Sequence, residues 1–196
     1  MPKRYSDQEK EQIKALLKEE AAKCLAQYGI RRTTVDELVQ RVRIPKGTFY
    51  LFYPSKELLL FDVIMEQHDR IEKQIMDAVS ALNPKQVTAQ QLTEILFQFF
   101  KTTEEMPILK MLGSGEIEIL ARKLPPGVLK EHFGHDDKMI EHMLASFAPE
   151  ASCDIEAVSA AFRAIYLVTL HKEEIGDNHY DKALRLLIQG VVTQIL

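Results

Sequence analysis

An all-α fold is predicted by three observations. Apolar residues recur at three- and four-residue steps through most of the chain, helix-capping patterns open successive segments, and no segment sustains the two-residue alternation of a half-buried strand. The 196 residues are 46% hydrophobic and 28% charged, with 8 Gly, 8 Pro and no Trp. This near-average balance argues against disorder, a collagen-like repeat or a coiled-coil rod. The length suits one large helical domain or a small domain joined to a larger one, and either buries a real core.

Ser6-Asp-Gln-Glu9 has the form of a capping box, in which hydroxyl and carboxylate satisfy the unpaired amides of a helix start. Ile13, Leu17, Ala21, Cys24, Leu25 and Tyr28 then lie on one face, and Gly29 supplies a left-handed stop, so helix 1 is expected over about Asp7 to Tyr28. Thr34-Val-Asp-Glu37 repeats the box and opens a second helix of about two turns, with Val35, Leu38, Val39 and Val42 inward. Arg43-Ile44 carries the chain round to Pro45, whose fixed φ and missing amide suit the first turn of a third helix, Lys46 to Phe52. Ser55 caps a long fourth helix reaching about Ser80 through Leu58, Phe61, Ile64, Met65, Ile71 and Met76.

Beyond Asn83-Pro84, Thr88-Ala-Gln-Gln91 caps a helix with a Leu92, Ile95, Leu96, Phe99, Phe100 stripe. Pro107, Gly113-Ser-Gly115 and Pro125-Pro-Gly127 punctuate the next stretch, and the helix carrying Leu129, Phe133, Ile140, Met143, Leu144 and Phe147 is weakened in its middle by Gly134. In the last two helices, Ile155, Val158, Phe162 and Ile165, and then Leu184, Ile188, Val191 and Ile195, alternate steps of three and four. That pattern packs helix on helix at a shallow angle. Leu167, Leu170, Leu187 and Val192 widen the stripes beyond one neighbour, so a helical hairpin with one side on its own core and the other on a partner is inferred.

The net charge of −4 hides an asymmetry. Residues 1–56 hold 12 Lys and Arg against 7 Asp and Glu, a net of +5, and residues 57–196 hold 13 against 22, a net of −9. A basic head on an acidic body suggests that the head meets a polyanion. The longest run without a charged residue, Leu186 to Leu196, is 11 residues, where a membrane span needs about 20. The first twenty residues lack the apolar stretch of a secretion signal, and a cytoplasmic location with no membrane partner is expected. Cys24 and Cys153 form no metal-spaced set and read as packing residues.

Two short helices joined by a tight turn, behind a longer helix in the basic segment, form a helix-turn-helix pattern. Phe49 and Tyr53, four apart, are expected to pack on the first two helices, leaving Lys46, Thr48 and Tyr50 outward beside an exposed Leu51. Lys46 suits a phosphate or a guanine edge, Thr48 a base or phosphate, Tyr50 a phosphate and Leu51 a thymine methyl. Thr34 and Lys56 stand at helix starts, where free amides favour a phosphate, and Arg31, Arg32, Arg43 and Lys3 or Arg4 add charge alongside.

Gly29-Ile30, Thr33-Thr-Val-Asp-Glu-Leu38, Lys46-Gly-Thr-Phe-Tyr50 and Pro54-Ser-Lys-Glu-Leu-Leu59 together resemble the N-terminal domain of the TetR family of transcriptional regulators. The resemblance covers about Asp7 to Leu60. It implies an all-α homodimer of about nine helices, with a helix-turn-helix DNA-binding domain at 1–54 and a larger helical effector-binding and dimerisation bundle at 55–196. It further implies a repressor released from a palindromic operator by a small-molecule effector, and it carries Thr34, Lys46, Thr48, Tyr50 and Lys56 onto common DNA-contacting positions. Three residues depart from the family pattern. Arg43 stands where Gly is usual, Pro45 replaces a small polar cap, and Phe52 replaces a His or Tyr.

Other chemistry finds less support. His132, His135, Asp136 and His142 lack the Glu-x-x-His and HExxH patterns, so no metal and no cofactor are expected. Neither a GxSxG elbow nor a phosphate-binding GxxxxGK[ST] loop occurs, so no catalytic residue is assigned. A helical-bundle enzyme and a non-specific architectural DNA binder are the alternatives. Phe97, Phe100, Met106, Met111, Met143, Phe147, Phe162 and Tyr166 are the candidate effector-binding residues, a soft and partly aromatic set suited to an apolar ligand. The last two helices are the expected homodimer contact.

Overall fold

The computed structural model describes residues 5–83, 86–106, 108, 114–147 and 153–196. Of the residues singled out above, Lys3, Arg4, Pro84, Pro107, Met111 and Gly113 lie outside them, as does the side chain of Phe147. The described residues form helices and no strand. In chain order the helices are α1 (Asp7–Arg32), α2 (Val35–Val42), α3 (Lys46–Phe49), α4 (Lys56–Ser80), α5 (Ala89–Glu105), α6 (Ser114–Lys123), α7 (Val128–Phe147), α8 (Ile155–Thr169), α9 (Lys172–Ile175) and α10 (Asp177–Ile195). The chain divides into two compact units, Met1–His68 with Pro107–Leu124, and Asp69–Met106 with Pro125–Leu196. The first unit thus takes in more chain than residues 1–54, because the opening turns of α4 and all of α6 fold with α1–α3.

In the first unit, the Ser6 hydroxyl accepts from the Glu9 amide, and the Glu9 carboxylate accepts from the Ser6 amide at 2.8 Å, completing the capping box. Leu17, Ala21, Cys24 and Leu25 are buried on the inner face of α1, and Leu38, Phe49, Tyr53, Leu59, Leu60 and Val63 complete the core. Gly29 breaks the helix as its sequence position suggests, with φ 74° and ψ −176°, but a further helical turn resumes and carries α1 to Arg32. Thr33 closes that turn by donating its amide and its hydroxyl to the Gly29 carbonyl, at 3.3 and 2.8 Å.

The core of the second unit is built by α5, α7, α8 and α10 around Leu92, Leu96, Phe97, Ile140, Met143, Leu144, Ile165, Tyr180, Leu184 and Ile188. Thr88 and Gln91 form the expected capping box of α5. Helix α7 runs through Gly134 without interruption. The cost of one mid-helix glycine, about 1 kcal/mol, is small beside the packing that α7 gains against α8. On α10, Leu184, Ile188, Val192 and Ile195 all face the core of their own chain, and Val191 is half-buried against it. Leu186 and Leu187 on α10 and Leu167 on α8 stay exposed. No helix among the described residues is long and apolar enough to cross a membrane.

Candidate nucleic-acid interface

Helix α2 begins at Thr34, whose hydroxyl accepts from the Glu37 amide at 3.2 Å. The reciprocal half of the capping box does not form, because the Glu37 carboxylate is drawn to Arg41 at 2.8 Å. Arg43 ends α2 in the left-handed conformation, φ 58° and ψ 45°, its amide donating to Gln40 and the Ile44 amide to Val39. A residue with a Cβ pays about 1 kcal/mol or more for that geometry, which the tight turn demands. Pro45 then opens α3 from an extended conformation, accepting from the Thr48 amide at 2.8 Å.

Helix α3 is a single turn, Lys46–Phe49, continued as turns in which Leu51 donates to Thr48 and both Phe52 and Tyr53 donate to Phe49. Phe49 is fully buried and Tyr53 nearly so. The Tyr53 hydroxyl donates to Asp62 at 2.7 Å, and Asp62 and Glu66 both pair with Lys18, which ties the segment after α3 to α4 and α1. Burial, with the acceptor carboxylate beside it, pushes the Tyr53 phenol well above its ordinary value and fixes it as a donor.

Tyr50 and Leu51 project into solvent, 51% and 71% exposed, and the Tyr50 ring meets Phe49 edge-on with centroids 5.3 Å apart. Thr34, Arg43 and Lys46 share that exposure, and Lys46 pairs with Asp36 at 2.8 Å. Two expected residues sit differently. Thr48 is turned inward at 7% exposure with its hydroxyl 3.3 Å from the Tyr5 hydroxyl, a correction to the outward placement. A one-turn helix does not keep the hundred-degree spacing on which that placement depended. Lys56 points back into its own domain, donating to the carbonyls of Ile30 at 2.7 Å and Thr33 at 2.6 Å, where it satisfies the open end of α1. Burial there pushes its ammonium below the ordinary lysine value.

Glu116 of α6 is a participant that sequence patterns did not single out. Its carboxylate accepts from the Ile30 amide beside the Gly29 break and lies 3.7 Å from the Arg31 guanidinium. At the other end of α6, Lys123 pairs with Glu57 at 3.2 Å. Both contacts join segments far apart in the chain, so no local pattern encodes them.

In the second unit, Phe97 and Met143 belong to the buried core, Phe100 and Phe162 pack against it, and Met106 and Tyr166 are half-buried. Burial alone pushes the Tyr166 phenol up to about 12. A polar cluster lies in the same unit. Glu72 pairs with His135 at 3.0 Å, His132 with Asp136 at 3.4 Å, and Arg163 reaches Asp136 and Asp137 at 3.4 Å while donating to Ser159 at 2.6 Å and lying over the Phe133 ring.

Residues 17–63 match the family described as bacterial regulatory proteins, tetR family. The chain is 29% identical over 122 residues to the uncharacterized HTH-type transcriptional regulator YuxN of Bacillus subtilis, a match covering 60% of this chain and 42% of that protein. It is 31% identical over 110 residues to the regulator YhgD of the same organism, covering 55% of this chain and 56% of the other. The chain therefore spans about half the length of these relatives. Its fold is shared with the fatty acid degradation regulator FadR of Bacillus halodurans, with a TM-score of 0.57 at 19% identity over 99% of this chain and 97% of that one. It is shared also with SmeT in its triclosan complex, with a TM-score of 0.58 at 14% identity over 93% and 90%.

Proposed function

We propose that the chain, whose residues 17–63 match the tetR family of bacterial regulatory proteins, is an operator-binding transcriptional regulator working as a homodimer. The observation that carries this reading is an exposed Tyr50 and Leu51 on the segment following a left-handed Arg43 turn, with Lys46 at its start. An aromatic ring and an apolar side chain on one exposed turn, with a cation at its start, have unusually little to gain from water for a surface segment. Against a major groove they meet phosphate, thymine methyl and guanine edge. Thr34 and Arg43 flank that turn and supply backbone contacts, the first beside the free amides of α2 and the second by charge.

Dimer formation through α8 and α10 would set two such segments about one helical turn of DNA apart, or a multiple of it, and so favour an inverted repeat. The exposed Leu167, Leu186 and Leu187 supply the apolar surface for that contact. A small apolar effector entering among Phe97, Phe100, Met106, Met143, Phe162 and Tyr166 would favour an arrangement of the dimer that no longer fits the spacing. Operator binding would then weaken effector binding by the same factor. SmeT, which shares the fold, forms a complex with triclosan and is the repressor of a multidrug efflux pump, and this supports an apolar effector and a repressor role here.

The test is a fluorescence titration of the chain on a duplex taken from the region upstream of its own gene and on a scrambled duplex of equal length, at rising salt. A regulator binds the first more tightly, by at least about 10³-fold, and loses affinity for both steeply with salt. Equal affinity for both identifies an architectural binder instead, and no binding to either removes the proposal.

A further inference from the structure

The Lys46 ammonium, which the proposed function assigns to a phosphate or a guanine edge, is already engaged in the chain alone. It lies 2.8 Å from one carboxylate oxygen of Asp36 and 3.0 Å from the other. Asp36 belongs to the first turn of α2 and Lys46 opens α3, so this pair bridges the turn between the two helices on their exposed side. Neighbouring acids are committed elsewhere. Glu37 and Glu20 hold Arg41, and Asp62 and Glu66 hold Lys18.

We propose that Asp36 is a specificity-determining residue whose carboxylate competes with DNA phosphate for the Lys46 ammonium. The inference rests on the DNA-binding reading above and adds a brake to it. A phosphate approaching this corner must displace Asp36 from Lys46, and it also meets the Asp36 charge at the start of α2, where the free amides of that helix favour an anion already in place. Exposed ion pairs are weak, so the exchange remains open to DNA. Affinity for arbitrary sequence comes mainly from phosphate contacts, and exchanging one anion for another removes part of it. Tyr50 and Leu51 carry no charge and are not taxed in this way, so base contacts weigh more in deciding where the protein stays. Asp36 also holds the Lys46 proton more firmly, so this brake works by exchange of partners and not by titration of the lysine.

The experiment uses the whole chain and a short fluorescent duplex of arbitrary sequence, titrated from low to physiological salt, with Asp36→Asn, Lys46→Met and the double variant. Asp36→Asn is expected to bind about two- to five-fold more tightly, the range that corresponds to one exposed ion pair. Its salt slope should steepen by up to about 0.9, the value of one further phosphate contact. The gain should shrink when Lys46→Met is also present, leaving only the part due to the Asp36 charge itself, and Asp36→Glu should return affinity toward that of the unchanged chain. Matching unfolding midpoints verify that the variants keep the fold. Unchanged or weaker binding by Asp36→Asn overturns the proposal, as does an equal gain in the Lys46→Met background. A failure of the unchanged chain to bind the duplex at low salt overturns the DNA-binding reading itself and the brake with it, a result distinct from a failed brake in a chain that binds.

Discussion

The Glu116 carboxylate accepts the Ile30 amide at the point where α1 breaks around Gly29. A Cβ added at residue 29 would stand 2.8 Å from the Glu116 carboxylate oxygen, so the glycine serves both the backbone conformation and the close approach of α6. Gly29 has a positive φ with an extended ψ, a combination that only glycine adopts readily. Gly29→Ala is therefore expected to destabilise the chain by about 1–3 kcal/mol in denaturant unfolding. Glu116→Ala in the same chain should recover the steric part and leave the backbone part, so the two losses add to less than their sum.

Arg43 offers the opposite sign. Its left-handed conformation costs a side-chain-bearing residue about 1 kcal/mol, and Arg43→Gly should return much of that in an unfolding midpoint. The same change removes an exposed charge beside the proposed DNA-contacting segment, so affinity for an arbitrary duplex at low salt should fall. A variant more stable and weaker in binding separates the two roles of this position. A variant that gains stability with unchanged affinity takes Arg43 out of the interface.

Leucines on α10 should sort by where they point. Leu184 is fully buried in its own chain, and Leu184→Ala should cost about 2–5 kcal/mol. Leu186 is 68% exposed, so Leu186→Lys should leave packing within its own chain intact while shifting sedimentation to the monomer, and the unfolding midpoint should lose its dependence on protein concentration. A dimer that survives Leu186→Lys together with Leu187→Lys removes the proposed contact through this helix.

Acid should weaken the second unit through His132. Burial, the largest influence, holds this imidazole below its ordinary value of 6.5 against the opposing pull of Asp136, with His135 and Arg163 adding to the depression. The unfolded chain then takes a proton as pH falls through 6.5 while the folded chain resists it, so stability is lost below that pH. Glu72 runs the other way: burial raises its carboxyl above 4.5, so its contribution is full below 4.5 and is lost as pH rises through the raised folded value. His132→Gln should flatten the stability loss on going below pH 6.5, as read by urea unfolding at stepped pH. An unchanged slope assigns the loss to other groups.

Local chemistry was legible in the sequence, and contacts between distant segments were not. The capping boxes at Ser6 and Thr88 could be read because all their partners lie within three residues. The Gly29 break follows from short-range sterics, and the α10 stripe of Leu184, Ile188 and Ile195 from helical spacing sustained over several turns. Val191 was read into that same stripe, yet Val192 took the deeper position, one residue round the helix. The inward turn of Thr48 escaped because one helical turn is too short for spacing to hold. Lys56 escaped for another reason: its partners, the Ile30 and Thr33 carbonyls, lie more than twenty residues away. Asp36 was visible only as part of a cap, since its pairing with Lys46 depends on how the turn folds back.

The reading of α3 as the part that meets DNA is tested most directly by selecting duplexes from a randomised pool with the unchanged chain and with Tyr50→Ala and Leu51→Ala. Tyr50 and Leu51 are exposed, so neither change should disturb the fold. The unchanged chain should enrich a two-fold symmetric motif. Each variant should bind that motif at least about ten-fold more weakly, and Leu51→Ala should relax the preference at one base pair in each half. Recovery of the same motif at the same affinity by both variants, or no enriched motif from the unchanged chain, would contradict it.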